Sequence, residues 1–423
     1  VPEPLTGITV LELTIALQGP AAGVYLRDQG AEVIKVEPPI GDAQRFHRGA
    51  NNATPADALA PGFIAANRGK KSVCLDIHSD AGREVVARLL DKADVLLTNY
   101  REPFLRRMGL DYETVAKTHP QLIWARVNGF GPKGPDADKP MLDGAAQARG
   151  GLLHMSGEAG ETPQGPGAAI ADLGGAMQFA LGVMTALFAR AQHGVGQKVE
   201  TSSLGAQLWL QQWEIQQSII SGQSLEPRGS YLPNIEGAYG VYSTSDGGAF
   251  MLAVAQDEES WDALCLFGEM FELVGDEEWN SPAKRLGAAG GGDASGLREI
   301  LKRGFATKTT AAWTDFMYSQ PNIIMERVRD YADVITDVQN IANDYIVPMK
   351  MPVIGESKVV GNLIQMSETP GSVKGPAPQL GEHTAEVMTS LGFDEDAIAA
   401  VGDAVNGARS AMMAALGVAP DES

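Results

Sequence analysis

The sequence predicts an α/β fold of the doubly wound type with a smaller domain inserted into it, and three observations carry that prediction. Strand-like and helix-like stretches alternate up to about residue 130. The strand-like stretches are continuously apolar, and the character of the chain changes after about Thr201. Continuously apolar strands separated by helices are buried on both faces, as in a parallel sheet covered by helices on either side.

The elements follow in order. Gly7–Thr14 (GITVLELT) is a short apolar run rich in β-branched residues and reads as the first strand. Pro20 and a helical stretch over Ala21–Gly30 come next, closing on Gly30 as a helix C-terminus does. Ala31–Glu37 is the second strand and Lys71–Ile77 the third. Ser79 then opens a helix that carries Val85, Val86, Leu89 and Leu90 on one face. Val95–Asn99 and Leu122–Asn128 are further strands with helix between them. Beyond Thr201, Ser202–Ser221 reads as helix and Val241–Val254 as two strands around an Asp-Gly turn. The chain then reads as mostly helical to about Asp330. The glycine run Gly287–Gly296 interrupts it as a surface loop, lacking both a preceding strand and the Lys-Ser/Thr of a phosphate loop. Strand-like pieces return from Val353, and a helix pair follows Pro378. The expected division is 1–205 for the first part of the large domain, 206–330 for a linker helix and small domain, and 331–423 for a C-terminal return.

Composition narrows the function classes. Of 423 residues, 44% are hydrophobic and 20% charged, which is the make-up of a folded protein with a large core. A net charge of −20 argues against nucleic acid as a partner, because that binding needs a field attracting phosphate. Two cysteines, Cys74 and Cys265, are too few for a disulfide framework or a thiolate zinc site, and both read as small buried hydrophobes. The opening residues VPEPLTGITVLEL carry no secretory signal, and the apolar run from Gly174 is broken by Gln178 and closed by Arg190. That run reads as a buried core helix rather than a membrane span, so a soluble protein in the cytoplasm is expected.

Several motifs weaken on inspection. GFGPKG at Gly129–Gly134 follows a strand, but Pro135-Asp136-Ala137-Asp138-Lys139-Pro140 cannot open the helix that a dinucleotide fingerprint needs. The six histidines show no HxH or HExxH spacing, so no metal is expected, and no G-x-S-x-G elbow is present. Two features hold more promise. Asp172 (AAIADLGGAMQF) stands immediately before a long apolar helix, in the N-cap position. Its bland role is capping. Its functional role is that of a carboxylate kept ionised by the helix dipole, with Gly174-Gly175 letting a ligand or another backbone approach, and so a nucleophile for an acyl group. The second feature is local basicity. Ala66–Arg107 holds nine basic residues against six acidic ones, and Arg68, Lys70, Lys71, Arg101 and Arg107 fall in loops beside strand ends, placed to hold a phosphorylated cofactor.

Together these segments resemble the class III coenzyme A transferases, the family of formyl-CoA transferase and carnitine CoA-transferase, over essentially the whole chain. The carrying stretches are PLTGITVLELT, GAEVIKVEPPIGD, NRGKKSVCLDIHSDAGREVVARLLDKADVLLTNYREPFLRRMGLDYE, VNGFGPKGP, the segment around Asp172, GVGQKVETS and LGEHTAEVMTSLG. The resemblance implies a Rossmann-like large domain built from both chain ends, a smaller inserted domain, and an interlocked homodimer. It implies that CoA is a cosubstrate rather than a resident cofactor. Asp172 is the implied catalytic residue, forming mixed-anhydride and aspartyl-CoA thioester intermediates as CoA passes from an acyl-CoA to a carboxylic acid. Ala16, Leu17 and Gln18 match the loop after the first strand, and Leu75 to His78 the stretch that meets the adenine end. Asn99, Tyr100, Arg101 and Arg107 match the segment holding CoA phosphates and adenosine, and Asp143 a position beside the thioester.

The chain also departs from the family pattern. Leu17 stands where formyl-CoA transferase has Gln, with Gln18 one place later. Pro38 replaces an Arg, and Lys139 is one place off a usual Lys, which aligns with Pro140. Pro233–Tyr242 is shorter than the glycine lid, and Ile323-Ile324-Met325 replaces a Cys-Ala-Pro element. The acid pocket is therefore open, with succinate or another small dicarboxylate the expected donor acid. Two alternatives are an α-methylacyl-CoA racemase and a non-catalytic acyl-CoA-binding protein. The racemase needs a histidine between Pro120 and Leu153, where the sequence has none.

Overall fold

Six strands form one sheet: β1 (Thr9–Leu13), β2 (Glu32–Glu37), β3 (Lys71–Cys74), β4 (Val95–Thr98), β5 (Ile123–Asn128) and β6 (Gln197–Ser202). In this computed structural model, which describes residues 1–49, 53–287 and 294–415, the sheet order is β3-β2-β1-β4-β5-β6. Every pair is parallel, with Val10 of β1 opposite Val33 on one side and Val95 on the other.

Strand alternation explains the continuous apolar runs. Leu11, Ile34, Leu96 and Trp124 point into one core with the helices Asp80–Lys92 and Glu395–Ala415. Their neighbours Val10, Val33, Leu97 and Ala125 point into a second core, with the helices Gln18–Asp28 and Ile170–His193. Both faces are covered by helices, and each fully buried Val or Leu contributes about 1.5–3 kcal/mol relative to exposure. Ser79 caps its helix as expected, its hydroxyl accepting from the Gly82 N–H at 3.0 Å. The long helix Ile170–His193 ends on Gly194 at φ +69°. β6 escapes a reading based on apolar runs because Gln197, Lys198 and Glu200 make it polar and only partly buried.

The order reverses between β1 and β4. Chain leaving β1 turns back toward β2, and chain leaving β4 goes on to β5, so the loops beyond their carboxyl ends part there. That is where doubly wound sheets bind ligands.

The chain divides into two compact units. One comprises Val1–Gly150, Ala169–Leu210 and the chain from Val338 onward; the other comprises Gly151–Ala168 and Gln211–Asp337. Residues 151–168 sit with the second unit through a bridge between Glu158 and Arg228 and a hydrogen bond from Gly229 to the Gly157 carbonyl. That unit holds an antiparallel sheet of β7 (Gly240–Ser243), β8 (Ala249–Ala255) and β9 (Ile323–Arg327). The Asp-Gly hairpin turn forms, with Gly247 at φ +85°. β9 lies in a stretch read as helical; it is a strand because Ile323 and Met325 alternate inward with Ile324 outward, too short a period-two signal beside the helices. The expected helix Ser202–Ser221 is two, Ser203–Leu210 and Gln212–Ser221. Residues 288–293 of the glycine run lie outside the described residues. In the first unit, β10 (Ile346–Met351) and β11 (Gly355–Val360) pair as a hairpin, and helices Thr384–Ser390 and Glu395–Ala415 complete the first core through Val387, Met388, Val401 and Val405.

Candidate functional site

The loop after β1 is held from three sides. Asn99 clamps Ile15, accepting from its N–H at 2.9 Å and donating to its carbonyl at 2.8 Å. Asp42 accepts the Ala16 N–H at 3.1 Å, and Lys35 donates to the Thr14 carbonyl at 2.8 Å. Ala16 is thereby kept at φ +63°, a conformation that costs a non-glycine residue about 1–3 kcal/mol and persists only where its surroundings impose it. Beneath the loop lies a buried cluster. Lys35 contacts Glu12 at 3.4 Å and Asp42 at 3.1 Å, and Lys70 contacts Glu12 at 2.8 Å, all four side chains being inaccessible to solvent. Burial pulls the Lys70 ammonium down to about 8, only partly opposed by Glu12 and reinforced by the nearby Lys35. Burial acts on Lys35 too, but Glu12 and Asp42 outweigh it and its pKa lies above the usual lysine value.

Asp172 stands in the first turn of its helix and is not its N-cap. The helix starts at Ile170, because the Asp143 carboxylate, from the helix Asp143–Arg149, accepts the N–H groups of Ala171 at 2.8 Å and Asp172 at 3.0 Å. Gln147 donates to the other Asp143 oxygen. Capping is thus supplied by a residue 29 positions upstream, and the Asp172 carboxylate has neither a hydrogen-bond nor an ion-pair partner among the described residues. Its electrostatics also differ from the dipole expectation. Burial, and then the negative charge of Asp143, push Asp172 up to about 6. Gly174 and Gly175 admit side chains of this chain rather than a ligand: a Cβ on Gly175 would lie 2.1 Å from the Gln18 amide nitrogen, and one on Gly174 2.8 Å from Leu210. Gln18 is fixed there by donating to the Ser203 hydroxyl at 2.6 Å.

Two cavities flank the carboxyl ends of β1 and β4. The first, about 230 Å³, gathers Asp172 with Ala16, Gln18, Asn99, Tyr100, Arg101 and Lys139. The second, about 680 Å³, is lined by Leu75 and His78 and again by Asn99, Tyr100 and Arg101. The shared residues Asn99–Arg101 join the two. Burial pushes the Tyr100 phenol up to about 12, so it remains a donor at neutral pH. His78 meets Phe104 edge-on, and Arg107 lies over the Phe104 ring at 5.6 Å, one layer behind the larger cavity. Leu17 and Asp143 line neither cavity: Leu17 precedes the helix Gln18–Asp28, and Asp143 caps the Asp172 helix.

The expected basic cluster is divided. Arg68 is paired with Asp28, Lys70 with Glu12, and Lys71 with Glu32 at 2.7 Å and Glu386 at 2.9 Å. Arg68 and Lys70 precede β3 and Lys71 is its first residue, all at the amino end of the strand, so these charges serve the fold and none of the three is left for phosphate. Arg101 and Arg107 follow β4, are exposed, and have no carboxylate partner among the described residues. Sequence reading also missed contributors. The Asn128 side-chain NH₂, buried without a partner, belongs to the wall of the Asp172 cavity, and Ala408, Ala411 and Met412 of the last helix line the larger one. No local pattern marks any of them.

The crevice lies at the reversal point of a parallel sheet, with the unpaired Asp172 carboxylate at one end and the exposed Arg101 guanidinium along it, a place where doubly wound sheets bind ligands. The chain belongs to CoA-transferase family III, whose family model matches residues 5–384, and it is a class III CoA transferase. It is 29% identical to the cinnamoyl-CoA:phenyllactate CoA-transferase of Clostridium sporogenes, over 93% of this chain and 94% of that one. It is 31% identical to the succinyl-CoA–D-citramalate CoA-transferase of Chloroflexus aurantiacus, over 94% and 96%. A CAIB/BAIF family protein from Brucella suis has the same fold, with a TM-score of 0.80, 29% identity, and coverage of 92% of this chain and all of that one.

Proposed function

We propose that the enzyme moves CoA between carboxylic acids through covalent intermediates on Asp172, with succinyl-CoA or another small dicarboxylyl-CoA as donor. An Asp172 oxygen attacks the thioester carbonyl, the C–S bond breaks, and CoA thiolate departs from a mixed anhydride. The thiolate attacks the Asp172 carbonyl carbon, expelling the donor acid and leaving an aspartyl-CoA thioester. The acceptor carboxylate then attacks that carbonyl and releases the thiolate, which takes the acceptor acyl group and frees Asp172. Thioester energy is conserved because an anhydride is reactive enough to return an acyl group to a thiol.

The observation that carries this reading is the state of Asp172. It is unpaired among the described residues, half-buried, open to a cavity that shares Asn99, Tyr100 and Arg101 with a larger one of about 680 Å³, and more basic than an ordinary aspartate. A pKa of about 6 still leaves it mostly ionised at pH 7–8, with the added nucleophilicity of a poorly solvated carboxylate. A dicarboxylate donor is supported by the succinyl-CoA named for the Chloroflexus relative. A racemase pairing has less support, because Asp143, near the place expected for its histidine, is engaged in capping. With succinyl-CoA and hydroxylamine, the hydroxamate is expected on Asp172 by peptide mass spectrometry; an unlabelled enzyme that still transfers CoA would refute the anhydride.

The reading includes an interlocked homodimer with a large domain drawn from both chain ends. Leu173, Met177, Leu181 and Phe188 form an exposed stripe on the Asp172 helix, and Leu208, Trp209 and Leu210 add to the exposed apolar surface of the same unit. An apolar surface of this kind calls for cover, and a second copy provides it. Sedimentation equilibrium is expected to give twice the 44.7 kDa chain mass at micromolar concentration. A monomer would remove this part of the reading.

A further inference from the structure

The last helix brings a cation to the cavity that the carboxyl ends of the strands alone do not supply. Ala408, Ala411 and Met412 recur at helical spacing and form the cavity's outer wall. Arg409, between them on the edge of that face, folds its side chain across to the loop after β2, where its Nε donates to the Pro39 carbonyl at 2.9 Å. Pro39 itself lines the cavity, and the same guanidinium acts on the Cys74 thiol at the end of β3, immediately before the lining residues Leu75–His78. The Arg409 side chain is exposed and has no carboxylate within ion-pair distance among the described residues, although the chain carries 53 acidic residues. The acids near this end are already engaged. Glu37 is gripped by Arg45 at 2.6 and 2.7 Å, and Asp76 accepts the His78 N–H at 3.0 Å. An exposed guanidinium held beside the cavity by a backbone carbonyl and a thiol, with no carboxylate partner among the described residues, is a ready phosphate receptor.

The position identifies the phosphate. Asn99–Arg101 are common to both cavities and so lie between Asp172 and this rim, whereas Arg409 sits at the end away from Asp172. A CoA thioester that starts at Asp172 reaches this end with its adenosine, whose ribose carries the 3′-phosphate. We infer that Arg409 binds the 3′-phosphate of CoA and sets the preference for CoA over 3′-dephospho-CoA. This rests on the CoA reading of the site.

Calorimetry with free CoA and free 3′-dephospho-CoA tests it on the full-length enzyme. Wild type is expected to bind CoA at least about tenfold more tightly, in keeping with a charge-assisted contact. Arg409→Gln keeps a donor for Pro39 while removing the charge. It is expected to lose about tenfold for CoA and less than twofold for dephospho-CoA, with Arg409→Lys in between. Equal affinity of the two ligands in wild type, or an equal loss of both in Arg409→Gln, would overturn the role of Arg409 while leaving the CoA site standing. Failure of wild type to bind either ligand would overturn the CoA reading together with it.

Discussion

An Asp172→Asn enzyme is expected to lose turnover by roughly 10³–10⁶-fold, the scale seen when a covalent nucleophile is removed, and to become more stable at pH 8. Both effects have one origin. Burial and the Asp143 charge raise Asp172 from 3.8 to about 6, so between these values the folded protein binds more proton than the unfolded chain. The stability that goes with protonation is fully present below about pH 4 and is lost as pH rises through about 6. At pH 8 the wild-type fold therefore carries a buried charge that the Asn variant lacks. A two-unit shift at about 1.4 kcal/mol per unit, discounted for residual solvent contact, is on the order of 2 kcal/mol. Thermal unfolding is expected to show Asp172→Asn ahead by roughly 2–4 °C at pH 8 and level with wild type at pH 4. Identical melting at pH 8, or an equal gain at both pH values, would remove the argument. Wild-type activity is expected to climb through a pKa near 6.

Lys35→Met is expected to destabilise the fold strongly. Glu12 and Asp42, both fully buried, share Lys35, and the Thr14 carbonyl takes its third hydrogen bond. Removing one member of a buried charge cluster leaves its partners uncompensated and costs about 3–5 kcal/mol. Asp42 also holds the Ala16 N–H and the Gln44 N–H, so the loop carrying Ala16 and Gln18 to the Asp172 cavity loosens with it. In Lys35→Met/Asp42→Asn the surplus charge is gone while an acceptor for Ala16 remains, and roughly half the lost stability should return. Urea unfolding measures both variants. A single-variant loss below about 1 kcal/mol, or no recovery in the double variant, would show that the cluster does not hold the loop in this way.

The strands β1 to β5 and the helix behind Ser79 were legible because their signals are local. Apolar runs, a serine cap and a one-faced helix depend on residues a few positions apart. Asp172 was legible as a residue of interest through the motifs around it, and Asn99–Arg101 through their place after a strand. Its surroundings were not legible. An aspartate before an apolar run reads as a cap, yet Asp143 performs that task from another helix. Arg68, Lys70 and Lys71 read as loop cations, yet long-range packing pairs each with a carboxylate. Likewise the polar β6 is a strand because β5 offers it hydrogen bonds, and the alternation in β9 is too short to read without its pairing to β8.

Residue order along the chain thus settled the α/β class, the first five strands of the parallel sheet, and the CoA-transferase motifs around Asp172. Folding settled the rest: which charges stay free, how basic Asp172 becomes, and that Arg409, 370 residues from Pro39, stands beside it. The division has a physical cause. Hydrogen-bond caps and side-chain periodicity act within a turn or a strand, whereas desolvation and ion pairing depend on every group that packing brings near, whatever its distance along the chain.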